Sequence, residues 1–258
     1  MMHDKSRKQA VGLSLLVLLM LLCVAPLVGA ADKPEAVAST WVIWFKPGHD
    51  ADFEAAIKAH AAWRKQAGDP MRWRMYTPVV GEDLDYIVIR SEGHQWADFD
   101  AEESWGRKAD SGKVFNDQVG AHVAKVAHYF GADDKENSFW TDNKNYRYYG
   151  VSRVRFRPGA ESDFFDAIKT VVAGAKAGKY PRSWSIDRLI GGSNDINVVW
   201  PYTSYADMKR VEPSFAEILA THLGSAAESK ALLNRLGAAI ESSTYTVYVA
   251  RPDLSTSE

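Results

Sequence analysis

Cysteine is almost absent from this sequence. The single cysteine, Cys23, lies in an apolar stretch near the amino terminus. If that stretch is removed, the remaining chain has no disulfide, no thiol nucleophile and no cysteine ligand for a metal. Such a protein must be stabilised by its apolar core, and a chain of this length can bury a large one.

The chain also lacks an excess of charge of either sign. It has 31 Lys and Arg residues against 33 Asp and Glu residues, which gives a formal net charge of −2. Proteins that bind nucleic acid or anionic membranes usually carry a basic excess or a basic cluster. The charge balance therefore predicts neither kind of partner.

Common catalytic motifs are missing too. The sequence has no Gly-x-Ser-x-Gly nucleophile elbow and no His-Glu-x-x-His zinc motif. No two histidines have the i, i+4 spacing of a helical zinc pair. The residues alone name no reaction and no metal site, and the question of whether the protein is an enzyme stays open.

The amino terminus has the pattern of an export signal. Three basic residues precede the apolar stretch 11–28, and Val28-Gly29-Ala30 has the small-x-small form of a signal peptidase site. We expect residues 1–31 to be a cleavable signal peptide. The mature protein would then be periplasmic or secreted, with no membrane segment.

A tandem repeat is the strongest pattern in the rest of the chain. Phe45-Lys46-Pro47-Gly48 is matched by Phe156-Arg157-Pro158-Gly159, and Trp73 is matched by Trp184 at the same separation. We place the first repeat at 39–132 and the second at 146–254. The polar residues 133–145 between them are predicted to form a linker.

Each repeat reads as β-α-β-β-α-β. A strand rich in aromatic and β-branched residues ends at Pro-Gly, and an amphipathic helix follows, over about 50–66 in the first repeat and 161–177 in the second. The closing strand is clear at 245–249, whereas its counterpart at 126–130 is weaker. We expect Trp41, Trp73 and Trp184 to be core residues.

This order is that of the ferredoxin-like unit, in which helices cover only one face of an antiparallel sheet. Two such units can bury their bare faces against each other, and two copies in one chain make that pairing intramolecular. The predicted fold class is therefore α+β, with two antiparallel sheets forming one intramolecular α/β barrel.

On this element order and the strand-Pro-Gly-helix junctions, the chain resembles the dimeric α/β-barrel superfamily. That superfamily includes antibiotic-biosynthesis-monooxygenase-like and NIPSNAP-like domains, here with two halves in tandem. The resemblance implies a pocket between the two sheets and is compatible with a homodimer. No catalytic motif of a member is matched, so no catalytic residue is carried over.

Strand alternation predicts which residues line that pocket. Ile43 and Val154 are apolar in both repeats and are assigned to the helix-facing core, so the opposite parity faces between the sheets. The candidate ligand-binding residues on that parity are Trp44, Arg72, Arg74, Tyr76, Arg153, Arg155 and Asp187.

Arginines beside aromatic side chains suit a small anionic or aromatic ligand, through paired hydrogen bonds and stacking. In the competing interpretation the arginines pair with Asp187 and Asp85, or lie at strand ends in solvent. The leading hypothesis is an exported small-molecule-binding protein whose reaction, if any, is not identifiable.

Two alternatives remain open at this point. The first is an enzyme, either a cofactor-independent monooxygenase-like protein or a haem-dependent oxidoreductase. No cofactor is evident in the sequence, but chlorite-dismutase-like tandem barrels bind haem through one histidine, so the resemblance makes His128 and His222 the candidate haem ligands. The second is a structural or partner-binding module with a filled barrel.

Overall fold

The computed structural model describes residues 36–141, 145–193 and 195–256. The predicted signal peptide lies outside the described residues. Among the described residues, no helix has the length and apolar character needed to cross a membrane.

Eight strands and six helices make up the described part of the chain. The strands are β1 (Val37–Phe45), β2 (Arg74–Val80), β3 (Tyr86–His94), β4 (Val123–Asp133), β5 (Tyr148–Phe156), β6 (Ser185–Ile190), β7 (Ile196–Tyr202) and β8 (Ile240–Ala250). The helices are α1 (Asp50–Gln66), α2 (Trp96–Lys108), α3 (Ser111–Gln118), α4 (Glu161–Ala177), α5 (Phe215–Leu223) and α6 (Ala226–Ala239).

The strands form one closed antiparallel barrel in the order β1-β3-β2-β8-β5-β7-β6-β4, and β4 pairs with β1 to close it. The order within each repeat is that of a ferredoxin-like sheet. The pairs β2·β8 and β4·β6 join the two sheets edge to edge. The predicted α+β class and intramolecular barrel are confirmed.

Each repeat has its own apolar core between its sheet and its helices. Ile43 and Ile57 lie in the first core, and Val154 and Ile168 occupy the matching places in the second. Both helices after the Pro-Gly junctions have the predicted bounds, 50–66 and 161–177. Aspartates lie in the first turn of each helix, where their negative charge interacts favourably with the positive end of the helix dipole.

Trp73 and Trp184 are buried, with 4% and 2% exposure, as expected of core residues. The prediction for Trp41 was wrong, since its side chain is 37% exposed. Its ring lies on the outer face of the barrel, where it stacks on His128 at a centroid distance of 4.0 Å. The ring lies outside the first apolar core and is not among the residues packed against that core.

The closing strand β4 is longer than its sequence pattern indicates. It spans 11 residues and pairs along nearly its whole length with β1. Tertiary pairing on both edges, with β1 and β6, stabilises a segment whose own alternation is weak.

In the second repeat, the segment matched to the start of α2 is only a short 3₁₀ turn at Ala206–Met208.

The segment between the repeats is packed against the second repeat. Phe139 is 7% exposed, and its ring lies 5.0 Å from that of Trp184. Its backbone also pairs with that of Trp184 through two hydrogen bonds of 2.9 Å. Phe139, one of two aromatic residues in an otherwise polar stretch, therefore attaches the connection to the second core.

Candidate functional site

A cavity of about 680 Å³ lies between the two sheets, inside the barrel. Alternate residues of the strands point into it, as the two-residue period of a strand requires. The lining includes Thr40, Val42, Trp44, Arg74, Tyr76, Tyr86, Val88, Arg90, Glu92, Tyr129, Asp133, Tyr149, Val151, Arg153, Asp187, Asn197, Val199, Thr244, Thr246 and Tyr248.

Five of the seven predicted ligand-binding residues line this cavity. They are Trp44, Arg74, Tyr76, Arg153 and Asp187. Arg72 does not line it, because β2 begins only at Arg74 and the side chain of Arg72 is exposed before the strand. Arg155 lies at the end of β5, 54% exposed, and reaches out to the loop between β6 and β7.

A buried ion pair crosses the cavity from one repeat to the other. Arg90 Nη1 on β3 lies 3.1 Å from Asp187 Oδ2 on β6, and the two side chains are 18% and 6% exposed. The same guanidinium donates to Thr40 Oγ1 at 3.0 Å. Burial works to lower the pKa of Arg90, but Asp187 and Glu92 raise it overall, so the guanidinium stays charged.

Arg153 belongs to a second ionic network. Its Nε lies 2.8 Å from Asp195 Oδ2, and its Nη2 donates to Ser193 Oγ at 3.0 Å. Arg155 Nε donates to the other oxygen of Asp195 at 3.1 Å. Burial alone would raise the pKa of Asp195, but the hydrogen bonds from Ser193 and the two arginines hold it below its usual value.

Arg74 also has a carboxylate partner, because its Nη1 lies 2.6 Å from Glu92 Oε1 near the cavity. Each of the four predicted arginines except Arg72 is therefore paired with an acidic side chain of the same protein. The competing interpretation of these arginines, that they pair internally, describes Arg74, Arg153 and Arg155.

Aromatic side chains cover much of the remaining lining. The hydroxyls of Tyr86 and Tyr248 lie 2.7 Å apart, across the β3–β8 side of the barrel. The ring of Tyr76 meets that of Tyr149 edge-on at 5.4 Å. Burial, with a smaller effect from Tyr149, raises the pKa of Tyr76 to about 12, so its phenol stays protonated at neutral pH.

One buried polar atom at the cavity has no partner. Asp187 Oδ2 receives the hydrogen bond from Arg90, but Oδ1 has none among the described residues. A Cβ atom at Gly131 would lie 2.3 Å from Oδ1, so the carboxylate fills the interior space that a side chain at 131 would occupy. An unpaired buried carboxylate oxygen is costly.

The two candidate haem ligands lie outside this cavity. His128 is on the outer face of β4, where its Nε2 is 2.9 Å from Ser39 Oγ and its ring is stacked on Trp41. His222 is an exposed residue of α5. Neither imidazole is placed to ligate a haem iron inside the barrel, so these residues do not fit that group there.

Sequence reasoning missed Arg90, Tyr149 and Tyr248, which line the cavity beside the predicted residues. The signal was available, because strand parity applied to β3, β5 and β8 would have placed them inward. The partner of Arg153, Asp195, could not be predicted in this way. Asp195 lies in a hairpin loop, where strand parity does not apply.

The sequence matches no family model and no curated protein. Solved structures with similar folds include a putative monooxygenase from Lactobacillus acidophilus, with 8% identity over 84% of this chain and 94% of that one and a TM-score of 0.51. A putative monooxygenase from Fusobacterium nucleatum has 8% identity over 84% and 93%, with a TM-score of 0.53.

A chlorite dismutase variant from Candidatus Nitrospira defluvii has 10% identity over 84% of this chain and 92% of that one, with a TM-score of 0.52. At such low identity these likenesses concern the fold alone. The chain has the dimeric α/β-barrel fold, with both halves of the barrel supplied by one polypeptide.

Proposed function

We propose that the chain is an exported small-molecule-binding protein whose ligand occupies the barrel interior. The ligand is a planar aromatic compound that carries a hydrogen-bond donor, such as a phenol or catechol. The observation that carries the proposal is the unpaired Oδ1 of Asp187 at a cavity lined by Trp44, Tyr76 and Tyr149.

The size and lining of the cavity support binding rather than a filled barrel. Small-molecule pockets are usually about 300–1,000 Å³ and combine apolar walls with a few polar groups. The cavity here is about 680 Å³, and its walls combine four valines and seven aromatic rings with eight ionic side chains. A carboxylate oxygen in such a wall is an orienting acceptor.

The pairing of the arginines favours the aromatic prediction over the anionic one. Arg90 and Arg153 each donate to a buried carboxylate, so their charges are already compensated. An anionic ligand would have to compete with Asp187 or Asp195 for them. A neutral donor needs only the unpaired oxygen of Asp187, which it meets when the carboxylate turns toward the cavity.

A thermal-shift and tryptophan-fluorescence screen tests the proposal. Phenols and catechols are compared with their methyl ethers, which lack the donor, and with benzoates, which add a negative charge. We expect the donors to raise the melting temperature and the methyl ethers to have little effect. If no member of the three sets changes either signal, the proposal is wrong.

Asp187→Asn is the matching variant, because it removes the carboxylate charge at nearly constant volume. Loss of a charge-assisted hydrogen bond costs about 1.5–3 kcal/mol, so affinity should fall about tenfold to hundredfold. Asp195→Asn is the control, since Asp195 is also buried and paired with arginines but does not line the cavity. Equal losses from both variants would point to a general structural effect.

An oxygenase acting on the same class of ligand is the enzymatic alternative, and the names of the two putative monooxygenases with this fold support it. Oxygen consumption in the presence of a ligand identified by the screen distinguishes catalysis from binding. Haem is tested separately, by the absorption spectrum of the purified protein, in which a Soret band would support it.

Export is part of the proposal and rests on residues 1–31. Expression with and without this segment, followed by fractionation and amino-terminal sequencing, tests it. Recovery of mature protein that begins close to residue 31 outside the cytoplasm is the expected result. Retention of the full chain in the cytoplasm would contradict export.

A further inference from the structure

Three potential metal ligands meet at a junction of the first repeat, away from the residues that line the barrel cavity. His49 precedes α1, Asp52 lies in the first turn of α1, and His122 ends the 3₁₀ turn before β4. One ligand atom from each residue lies within 4.8 Å of the others. The two imidazoles come from positions far apart in the sequence.

The geometry of the two histidines is close to that of a shared metal ion. His49 Nδ1 and His122 Nδ1 are 3.0 Å apart, with the ring planes inclined by 56°. Two nitrogens bound to one tetrahedral zinc ion are about 3.3 Å apart, given bonds of about 2.0–2.1 Å. The Asp52 side chain is exposed, and one of its carboxylate oxygens lies within 4.8 Å of a ligand nitrogen of each histidine.

The backbone holds both histidines in place. Lys46 N donates to His122 O at 2.9 Å, and His49 N donates to Lys46 O at 3.0 Å. Phe53 N donates to His49 O at 2.7 Å and continues into α1. The two imidazoles are therefore brought together by the strand-Pro-Gly-helix junction, before any metal binds.

The second repeat has the same junction without the histidines. Arg157 N donates to Ala239 O at 2.9 Å, and Ala160 N donates to Arg157 O at 3.0 Å. Ala160 and Ala239 thus occupy the places of His49 and His122. Because the same backbone hydrogen bonds form around alanines, the junction does not need the imidazoles for its structure.

The carboxylate is present in both repeats but is used differently. Asp163, the counterpart of Asp52, lies 3.5 Å from Arg235, whereas Asp52 lies beside the two imidazoles. We infer that His49, Asp52 and His122 form a site for a divalent transition-metal ion of the zinc class. Three protein ligands leave one tetrahedral position open for water or an external donor.

The test uses the tag-free mature chain after treatment with a chelator. Calorimetric titration with Zn²⁺ should show one site per chain, and Co²⁺ should give visible d–d absorption bands from a tetrahedral nitrogen and oxygen ligand set. Loss of a residue that only supports a ligand costs about 10–100-fold in metal affinity. Removal of a ligand should therefore weaken binding by at least about 100-fold.

His49→Ala and His122→Ala reproduce the residues of the second repeat and should fold, which circular dichroism checks. Asp52→Asn, at nearly constant volume, serves if either alanine variant fails to fold. His222→Ala and Asp163→Asn are the controls and should bind Zn²⁺ as the wild type does. Absence of a one-to-one site, or binding unchanged in all three site variants, would overturn the inference.

Discussion

Removal of Asp187 should destabilise the fold through the charge that it leaves behind. In Asp187→Ala, Arg90 keeps its guanidinium inside the barrel but loses the carboxylate 3.1 Å away. The two residues belong to different repeats, on β3 and β6. The change therefore affects a contact that ties one half of the barrel to the other.

The expected cost follows from the burial of the pair. Breaking a buried ion pair on one side costs about 3–5 kcal/mol, because one charge is left uncompensated. Two other carboxylates reduce that cost, since Glu92 and Asp133 lie 3.4 and 3.9 Å from the Arg90 guanidinium. We therefore expect about 3 kcal/mol, which corresponds to a fall of about 6–12 °C in melting temperature for a domain of this size.

A double-mutant cycle measures the effect by urea unfolding. It compares the wild type, Asp187→Ala, Arg90→Met and the double variant. The double variant should be more stable than Asp187→Ala, because the uncompensated charge is gone. A loss below about 1 kcal/mol in Asp187→Ala, or a double variant whose losses simply add, would refute the idea of an interior dependent on this pair.

Three further changes have defined outcomes. Gly131→Ala places a Cβ atom 2.3 Å from Asp187 Oδ1, so the buried carboxylate must move. The free energy of unfolding in urea should fall by about 1–3 kcal/mol. Unchanged stability would contradict this packing. Burial lowers the pKa of His60, although the hydrogen bond that His60 Nδ1 donates to Gln118 Oε1 opposes it. The unfolded state therefore binds more protons, and stability should fall as pH drops below about 6.5, less so in His60→Gln. Equal pH slopes in the two proteins would contradict this. Ser214→Ala removes the cap at the start of α5 and should cost about 1 kcal/mol by the same assay; no loss would mean that the cap is dispensable.

The repeat could be predicted because it depends on local residues. Phe45 and Phe156 lie just before Pro-Gly, and a Pro-Gly pair ends a strand through its own backbone geometry. The helices at 50–66 and 161–177 were predictable for the same reason, since each has a Pro-Gly start and a helical apolar period. Strand parity is also local, and it placed Trp44 and Arg153 on the inner face.

The failures came where a residue's position depends on its neighbours in space. Trp41 has the composition of a core residue, but its exposure depends on how far the helices extend over the outer face. Arg155 has the inward parity, but it lies at a strand end from which its side chain reaches Asp195. No local pattern encodes either circumstance.

The sequence by itself determined two ferredoxin-like units, their element order and the inward parity of their strands, because turn residues and side-chain alternation act over a few positions. Only the tertiary structure decided which residues meet. Closure of the barrel brings Arg90 to Asp187 and leaves one buried carboxylate oxygen without a partner, and the first junction brings His49 to His122. Such contacts depend on the register in which distant strands pair, and that register is a property of the whole sheet.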